Sequence, residues 1–387
     1  MSLSEIRCRL GRHRKQRRAC GAEDNVIQQG SEWMKTWIAA LFGASALVAV
    51  GIAGPASAAG LDFNPGLKPV QGSAEVKLPP SKKDKFVIGL SNISLVNTWR
   101  VQMIEEAKYE ATQHPEIAEL VVTDAGGNVS KQVSDIEDLL ARGVDALLVD
   151  PGSETALNGV LDKAYASGIP VILFASKANP QKYTSKILGD DRFFGKAGAE
   201  YLAKALGGKG NIIGIRGISG NSIDNDRWAA AEEVFNAAGI KVIDTAFGDW
   251  AYDKGKQVCE SLIVAHPEID GIWSSGGAMT QACAEVMKEN GLTLVPMTGE
   301  GNNGFLRIWQ EMDLNTVAPQ YPTWFGQQAV IAGVRALKGE PIAVDYVLNP
   351  DPIQKADIAK YYRPDLNDSY WVGSSLPDDV LKKIYAK

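Results

Sequence analysis

The chain has 387 residues, of which 45% are hydrophobic and 22% are charged. This length predicts a large core, most simply divided between two lobes, and the composition excludes a disordered or fibrous protein. Residues 59–387 carry 32 Lys and Arg against 42 Asp and Glu, and this acidic balance argues against a nucleic-acid partner.

The segment before residue 59 predicts export. Residues 34–58 read MKTWIAALFGASALVAVGIAGPASA, with a lysine, an apolar stretch rich in Ala, Val and Leu, and small residues before Ala58. This order predicts a secretory signal peptide that is cleaved near Ala58. A membrane anchor is the alternative, and it is disfavoured because the apolar run is short and a polar segment follows it.

Residues 1–33 contain the basic cluster RCRLGRHRKQRR, a type of segment that can bind nucleic acid. A signal peptide begins near its own initiator methionine, and Met34 lies in that position. We therefore interpret residues 1–33 as an extension upstream of the true start codon. The choice between Met1 and Met34 stays open at this stage.

Strand-like and helix-like segments alternate after a Pro-, Lys- and Gly-rich linker predicted over residues 59–84. The predicted strands are FVIGLS (86–91), ELVVTD (119–124), DALLVD (145–150), PVILFA (170–175), NIIGIRG (211–217), KVIDTAF (241–247), DGIWSS (270–275) and LTLVPMT (292–298). The predicted helices lie at 99–113, 129–142, 155–167, 225–238, 253–265 and 280–290. This alternation predicts an α/β fold of two doubly wound parallel-sheet lobes. Because ligands of such sheets bind beyond the carboxyl ends of the strands, the loops there are expected to line one cleft.

Cys259 and Cys283 are the two cysteines of residues 59–387. They lie on consecutive predicted helices, and an exported protein meets conditions in which disulfides form. A disulfide and two buried free thiols both agree with the sequence, so this alternative stays open here.

Residues 59–387 lack the sequence motifs of common enzymes. Their two histidines, His114 and His266, lie in His-Pro-Glu-Ile turns at helix ends, where neither is placed beside a nucleophile. The chain also has no H-E-x-x-H, C-x-x-C, G-x-S-x-G or P-loop string. Together these absences argue against catalysis.

One segment, TLVPMTGEGNNGFLRIW at residues 293–309, contains a G-x-G-x-x-G string between a strand-like and a helix-like run. A dinucleotide-binding loop of this type lies in a first βαβ unit, and an acidic residue ends the next strand. Here the next apolar run ends in Ala-Pro-Gln at residues 318–320, and Glu300 would oppose a pyrophosphate. We therefore expect no cofactor and interpret Glu300 as an acceptor of hydrogen bonds from ligand hydroxyls.

Several short segments of residues 86–341 share the pattern of one known family. They are NTWR (97–100), GVDALLVDP (143–151), ASGIPV (166–171), GISGNS (217–222) followed by Arg227, and QYP (320–322) followed by Gly326. With the export signal, they resemble the ribose-type periplasmic sugar-binding proteins, the receptor components of ABC importers. DNA-binding repressors share this fold, but residues 1–58 contain an export signal in place of a helix-turn-helix.

The resemblance implies the type I periplasmic binding protein fold, in which three crossovers form a hinge. We place the crossovers near Asp190, Gln320 and Ile342–Leu348. The N-terminal lobe would then comprise residues 85–189 and 321–345, and the C-terminal lobe with its tail would comprise 190–320 and 346–387. The tail is longer than in ribose binders and is expected to brace the hinge.

The resemblance also implies a set of ligand-binding residues. Trp99 would stack on a sugar face, and Arg100 would donate paired hydrogen bonds to ligand oxygens. Glu300 matches the acidic acceptor of the family, whereas Asn225 stands where the family has an arginine. The full implied set is Asn97, Trp99, Arg100, Asp150, Lys177, Asn225, Arg227, Trp250, Tyr252, Glu300 and Gln320.

Several of these residues have a structural alternative. Trp99 could be a core residue, Arg100 a solvated residue of the first helical turn, and Asp150 the cap of the following helix. Arg227 matches a second family arginine that could serve only to hold its loop together.

Two departures from the family bear on the ligand. Ser176-Lys177 replaces Asp-Arg, and Gly276-Gly277 replaces Asn-Asp. A carboxylate that would accept two sugar hydroxyls is therefore missing, and space is expected where the glycines lie. These changes argue against ribose and make a sugar acid or lactone an alternative to a neutral pentose, hexose or polyol.

The predicted function is a non-catalytic periplasmic receptor, a monomer, that hands a sugar-like ligand to an ABC permease. One alternative is a module that presents ligand to a membrane sensor. A secreted enzyme acting on sugar acids or lactones is a second alternative.

Overall fold

The computed structural model describes residues 61–387, which form two α/β lobes. The predicted extension and signal peptide lie outside the described residues. Within residues 61–387, no helix is both long and apolar enough to cross a membrane.

The first lobe is built on a seven-stranded sheet. Its strands are β1 (Leu67–Pro69), β3 (Phe86–Asn92), β4 (Ile117–Asp124), β5 (Ala146–Asp150), β6 (Val171–Ala175), β7 (Ser185–Gly189) and β14 (Asp345–Leu348). They lie in the order β1-β14-β7-β6-β5-β3-β4, and only β1 runs antiparallel to its neighbour. A separate antiparallel pair consists of β2 (Glu75–Val76) and β13 (Ile342–Ala343).

Helices cover both faces of this sheet. They are α1 (Thr98–Gln113), α2 (Val129–Arg142), α3 (Asn158–Ala166) and α9 (Phe325–Lys338). Alternate residues of β5 and β6 belong to different clusters: Leu148 and Ile172 join the core beneath α1 and α9, whereas Leu147 and Val171 join the core beneath α2 and α3. Burial on both faces explains why these strands are continuous apolar runs.

The second lobe is built on a five-stranded parallel sheet. Its strands are β8 (Gly210–Arg216), β9 (Ile240–Phe247), β10 (Gly271–Ser274), β11 (Met297–Thr298) and β12 (Thr316–Val317), in the order β12-β11-β10-β8-β9. Its helices are α4 (Asp191–Ala205), α5 (Ser222–Ala238), α6 (Tyr252–Ala265), α7 (Gly277–Glu289) and α8 (Asn303–Glu311). The C-terminal part adds a 3-10 turn (Lys355–Asp357), α10 (Ile358–Tyr361) and α11 (Asp378–Tyr385).

The structure differs from the predicted division of the chain in two places. Residues 61–84, predicted as a linker, contribute β1 and β2 to the first lobe. The third crossover follows Leu348, because all of β14 pairs with β7 of the first sheet. The chain reaches the second lobe at Ile353, whose backbone bonds to Ala318.

Cys259 of α6 and Cys283 of α7 form a disulfide, with their Cα atoms 5.4 Å apart. The bridge closes a segment with a sequence separation of 24, which restricts the unfolded chain and stabilises the fold by about 3–4 kcal/mol. We expect Cys259→Ala/Cys283→Ala to lose this amount in urea unfolding under oxidising conditions. With a reductant present, wild type and the double variant should unfold at similar urea concentrations. A wild type insensitive to reductant, with its bridge shown to be reduced, would contradict the expectation.

Candidate functional site

A small cavity of about 30 Å³ lies between the two lobes. The first lobe lines it from the start of α1, and the second lobe lines it from α5 and from the loops after β9 and β11. Its lining residues are Asn97, Trp99, Arg100, Ile223, Arg227, Trp250, Glu300, Tyr321 and Trp371. Six of these residues belong to the set implied by the sequence, and they come from both lobes.

Trp99 forms part of the core and part of the cavity wall. Its Nε1 donates to the carbonyl oxygen of Tyr321 at 2.7 Å, and its ring lies 5.5 Å from the Tyr321 ring and 6.4 Å from the Phe325 ring. Asn97 caps the same helix, since its Oδ1 accepts from the backbone N–H of Arg100 at 3.0 Å. The helix cap and the indole hydrogen bond therefore fix the aromatic plate before any ligand arrives.

Arg100 is buried and paired, unlike a solvated first-turn arginine. It forms an ion pair with Asp150 at the end of β5, and Nη2 lies 3.5 Å from Ser176 Oγ. Burial lowers the pKa of Arg100 to about 10, which leaves it charged at neutral pH. Asp150 thus neutralises the charge of Arg100 without lining the cavity itself, and it does not cap the next helix.

Asn92 lies beside this ion pair and is not a member of the set implied by the sequence. It ends β3 and is in register with Asp150 on β5. Within residues 61–387, its buried Nδ2 and Oδ1 atoms have no hydrogen-bond partner. A polar residue ending an apolar strand was the signal available in the sequence.

Arg227 of α5 joins two buried carboxylates. Nε donates to Asp191 Oδ1 at 3.1 Å, Nη1 donates to the Ser275 carbonyl at 2.7 Å, and Nη2 lies 3.6 Å from Glu300 Oε1. The guanidinium also lies 3.5 Å from the centre of the Phe194 ring. Arg227 therefore holds its surroundings together and also lines the cavity.

The two carboxylates have unusual acidities because they are buried around one guanidinium. Burial raises the pKa of Glu300 to about 7; the nearby Asp191 adds to this rise, and Arg227 opposes it. Burial also raises the pKa of Asp191 to about 6, against the opposing effect of Arg227. Near neutral pH, Glu300 can therefore accept a hydrogen bond as a carboxylate or donate one as an acid.

Trp250 is held in a strained loop after β9. Its φ is 56° and that of Asp249 is 54°, a left-handed conformation that is uncommon for residues other than glycine. Its Nε1 lies 3.1 Å from the Ser275 carbonyl. A Cβ on Gly217 would lie 2.1 Å from the ring, and one on Gly276 would lie 2.7 Å from it. The expected space at Gly276-Gly277 is therefore filled by this indole and, at Gly277, by the backbone of Glu300.

Five residues of the implied set do not line the small cavity, and four of them lie apart from it. Lys177 forms an ion pair with Asp226 of the second lobe, and Asn225 is exposed. Gln320 donates to the Asp351 carbonyl at 2.5 Å, and Asp150 lies behind Arg100.

Tyr252 lines a different space. Together with Asn97 and Trp250, it lines an outer cavity of about 580 Å³ at the mouth of the cleft, and its hydroxyl lies 2.5 Å from Glu285. Asn97 and Trp250 line both cavities, so the two spaces are adjacent.

Two parallel-sheet lobes, three crossovers and a cavity lined from both sides define a two-lobed ligand-binding protein. Residues 88–341 match the model of the periplasmic binding protein domain. The match covers more than half of the chain, and the chain belongs to this family. The predicted fold class and the predicted resemblance are thereby confirmed.

Similar proteins support the same assignment. The chain is 27% identical over 260 residues to the ribose import binding protein of Bacillus subtilis. This match covers 67% of this chain and 84% of the relative. It is 27% identical over 243 residues to the xylitol-binding protein of Mycolicibacterium smegmatis, covering 62% of this chain and 70% of the relative. A solved structure, the fructose-binding periplasmic domain of a hybrid two-component system, is 26% identical with a TM-score of 0.65; the match covers 71% of this chain and 92% of that one.

Proposed function

We propose that this protein is a non-catalytic periplasmic receptor that binds a sugar or polyol between its lobes and delivers it to an ABC importer. The observation that carries the proposal is the convergence of Trp99, Trp250, Arg227 and Glu300 on one inter-lobe cavity. Relatives named for ribose import and xylitol binding support the ligand class. Export of the mature chain after cleavage near Ala58 is part of the proposal.

The binding mechanism follows from the closed cavity. Aromatic faces exclude water and pack on the C–H faces of a sugar, while buried polar groups bond to its hydroxyls. The cavity of about 30 Å³ is far smaller than the roughly 300–1,000 Å³ of usual ligand pockets, so a sugar ring enters only when the lobes separate. Hinge closure around a ligand is the motion for which periplasmic binding proteins are a standard example.

The charges around the cavity favour a neutral ligand over a sugar acid. Asp150 neutralises Arg100, and Asp191 and Glu300 together offset Arg227. Lys177, which could have added a positive charge, is paired with Asp226 and does not line the cavity. The site has no excess positive charge to compensate a ligand carboxylate.

A ligand screen tests the proposal. In a thermal-shift assay of residues 59–387 with pentoses, hexoses, polyols and aldonates, we expect a neutral sugar or polyol to raise the unfolding temperature. A ligand present at 100 times its Kd adds about 2.7 kcal/mol to stability. Trp99→Ala and Glu300→Ala should each abolish this shift while the variants stay folded by circular dichroism.

Gln320→Ala is the matched control. Gln320 belongs to the implied set but bonds to Asp351 away from the cavity, so this variant should keep the shift. A wild type that responds to no sugar, polyol or aldonate would refute ligand binding of this class. Retained shifts in both Trp99→Ala and Glu300→Ala would show that the site is elsewhere.

Presentation of ligand to a membrane sensor is the second candidate. The similarity to the sugar-binding domain of a two-component system favours it specifically. Neighbouring genes for a permease and an ATPase would support the importer, and a neighbouring histidine kinase would support the sensor. Co-purification of the ligand-bound protein with the encoded membrane partner decides between them.

A further inference from the structure

The C-terminal segment, residues 361–387, lies at the cleft and contacts both lobes. The family match ends at residue 341, so this segment follows the matched region. It was expected to brace the hinge, and its hydrogen bonds reach the N-terminal parts of α1 and α8. The first turn of α1 carries Trp99, and the loop before α8 carries Glu300, on opposite sides of the cavity.

The second lobe holds the segment through its main chain. Asn303 Nδ2 donates to the carbonyls of Arg363 and Leu366 at 2.9 Å and of Asn367 at 3.1 Å. Asn303 Oδ1 accepts from the Arg363 N–H at 2.9 Å. Asn302 Nδ2 donates to a further carbonyl of the segment at 2.9 Å. Backbone groups satisfied in this way fix the path of the chain.

Packing against this segment explains two glycines of the G-x-G-x-x-G string. A Cβ on Gly301 would lie 2.4 Å from Val372 Cγ2, and one on Gly304 would lie 2.1 Å from Gln281 Oε1 and 2.8 Å from Asp368 Cβ. The N–H of Val372 also donates to the Gly301 carbonyl at 2.8 Å. These glycines therefore provide room for the C-terminal segment.

The first lobe holds the same segment through α1. The side chain of Gln102 bonds to the main chain of Trp371 in both directions, from Nε2 to the carbonyl at 2.8 Å and from the N–H to Oε1 at 2.9 Å. The carboxylate of Glu106 accepts from the hydroxyls of Ser374 and Ser375 at 2.8 Å each. Gln102 and Glu106 are buried, so these are interior contacts.

We propose that Trp371 is a ligand contact that limits the site to ligands of monosaccharide size, an inference that rests on the proposed sugar-binding function. Trp371 is 1% exposed and lines the inner cavity together with Trp99, Arg100 and Glu300. Its Nε1 donates to Thr98 Oγ1 at 2.7 Å. The indole is thus fixed by its own hydrogen bond and by a main chain bonded to both lobes.

This fixation sets the specificity. The ring cannot turn aside for a longer ligand without breaking the bonds to Gln102 and Thr98. Removal of such a fixed plate costs affinity for a small ligand and opens room for a larger one.

The test measures Kd by calorimetry for the mature wild type, Trp371→Ala, Trp371→Phe and Trp309→Phe. The probes are the monosaccharide or polyol with the largest thermal shift and a disaccharide that contains the same unit. We expect Trp371→Ala to weaken monosaccharide binding by about tenfold or more, and Trp371→Phe by about threefold. Both substitutions should lower the ratio of the disaccharide Kd to the monosaccharide Kd.

Trp309→Phe is the control, because Trp309 is equally buried in the second lobe but does not line the cavity. It should stay within about twofold of wild type. Trp371→Phe retains most of the core volume and gives a reading even if Trp371→Ala does not fold. If the Trp371 variants keep the wild-type Kd values and the wild-type preference for the monosaccharide, this proposal is overturned but the proposed function is not. A wild type that binds no sugar or polyol would overturn the proposed function and this inference with it.

Discussion

Replacing Arg227 by methionine is expected to lower the free energy of unfolding by about 3–5 kcal/mol at pH 8. Methionine keeps much of the apolar stem that packs on Phe194, but the partner of Asp191 and Glu300 is lost. Two buried carboxylates then remain without a compensating cation, and the Ser275 carbonyl loses its donor. Urea unfolding followed by circular dichroism measures the loss.

The loss should depend on pH with a defined sign. Asp191 and Glu300 already have pKa values raised to about 6 and about 7, and removal of the guanidinium raises both further. A carboxyl group with a raised native pKa binds more protons folded than unfolded, so its destabilising effect grows as pH rises. The difference from wild type should be small near pH 4, where the two carboxyl groups are protonated in the native state of both proteins, and full above the native pKa values.

Arg192→Met is the matched control for this prediction. Arg192 lies on α4 and pairs with Glu233, but it is exposed, and an exposed ion pair contributes about 0–1 kcal/mol. An equally small loss in Arg227→Met, or a large loss that is the same at pH 4 and pH 8, would show that Arg227 does not compensate buried carboxylates.

The fold was predictable because its signals are local. Each central strand of the two sheets is an apolar run, and a helix follows the strand along the chain at a regular interval. The strand Ala146–Asp150, followed by the helix Asn158–Ala166, is an example. The third crossover was misplaced because lobe membership depends on long-range pairing. Asp345–Leu348 looks like any strand, and only its register with Lys186–Gly189 assigns it to the first sheet.

Residues that line the candidate cavity could be predicted where the family pattern covers the chain, and less so elsewhere. Asn225 and Arg227 are two residues apart on α5, so they project from opposite sides of the helix, and only Arg227 reaches the cavity. Trp371 lies beyond the matched region and reaches the cavity through contacts with Gln102 and Asn302, which are distant in sequence. No short sequence pattern predicts such long-range contacts.

Gly195→Ala is expected to cost about 3 kcal/mol or more, because it forces apart two helices that meet at the backbone. Gly195 lies in α4, and a Cβ there would be 1.9 Å from the carbonyl oxygen of Arg227 on α5. A side-chain rotation cannot relieve a clash with backbone, so α5 has to move and carry Arg227 away from Asp191 and Glu300. The variant should therefore lose stability in urea unfolding and lose the ligand-induced thermal shift as well.

Gly198→Ala separates this clash from the general effect of adding a methyl group to α4. A Cβ on Gly198 would lie 3.4 Å from Thr298 Cγ2, an ordinary van der Waals contact. Alanine is favoured over glycine within a helix by about 1 kcal/mol, so Gly198→Ala should be neutral or stabilising. If both substitutions cost the same, the close approach of α4 and α5 at Gly195 does not position Arg227. If only Gly195→Ala destabilises, the missing side chain at Gly195 is what allows Arg227 to lie between the two carboxylates.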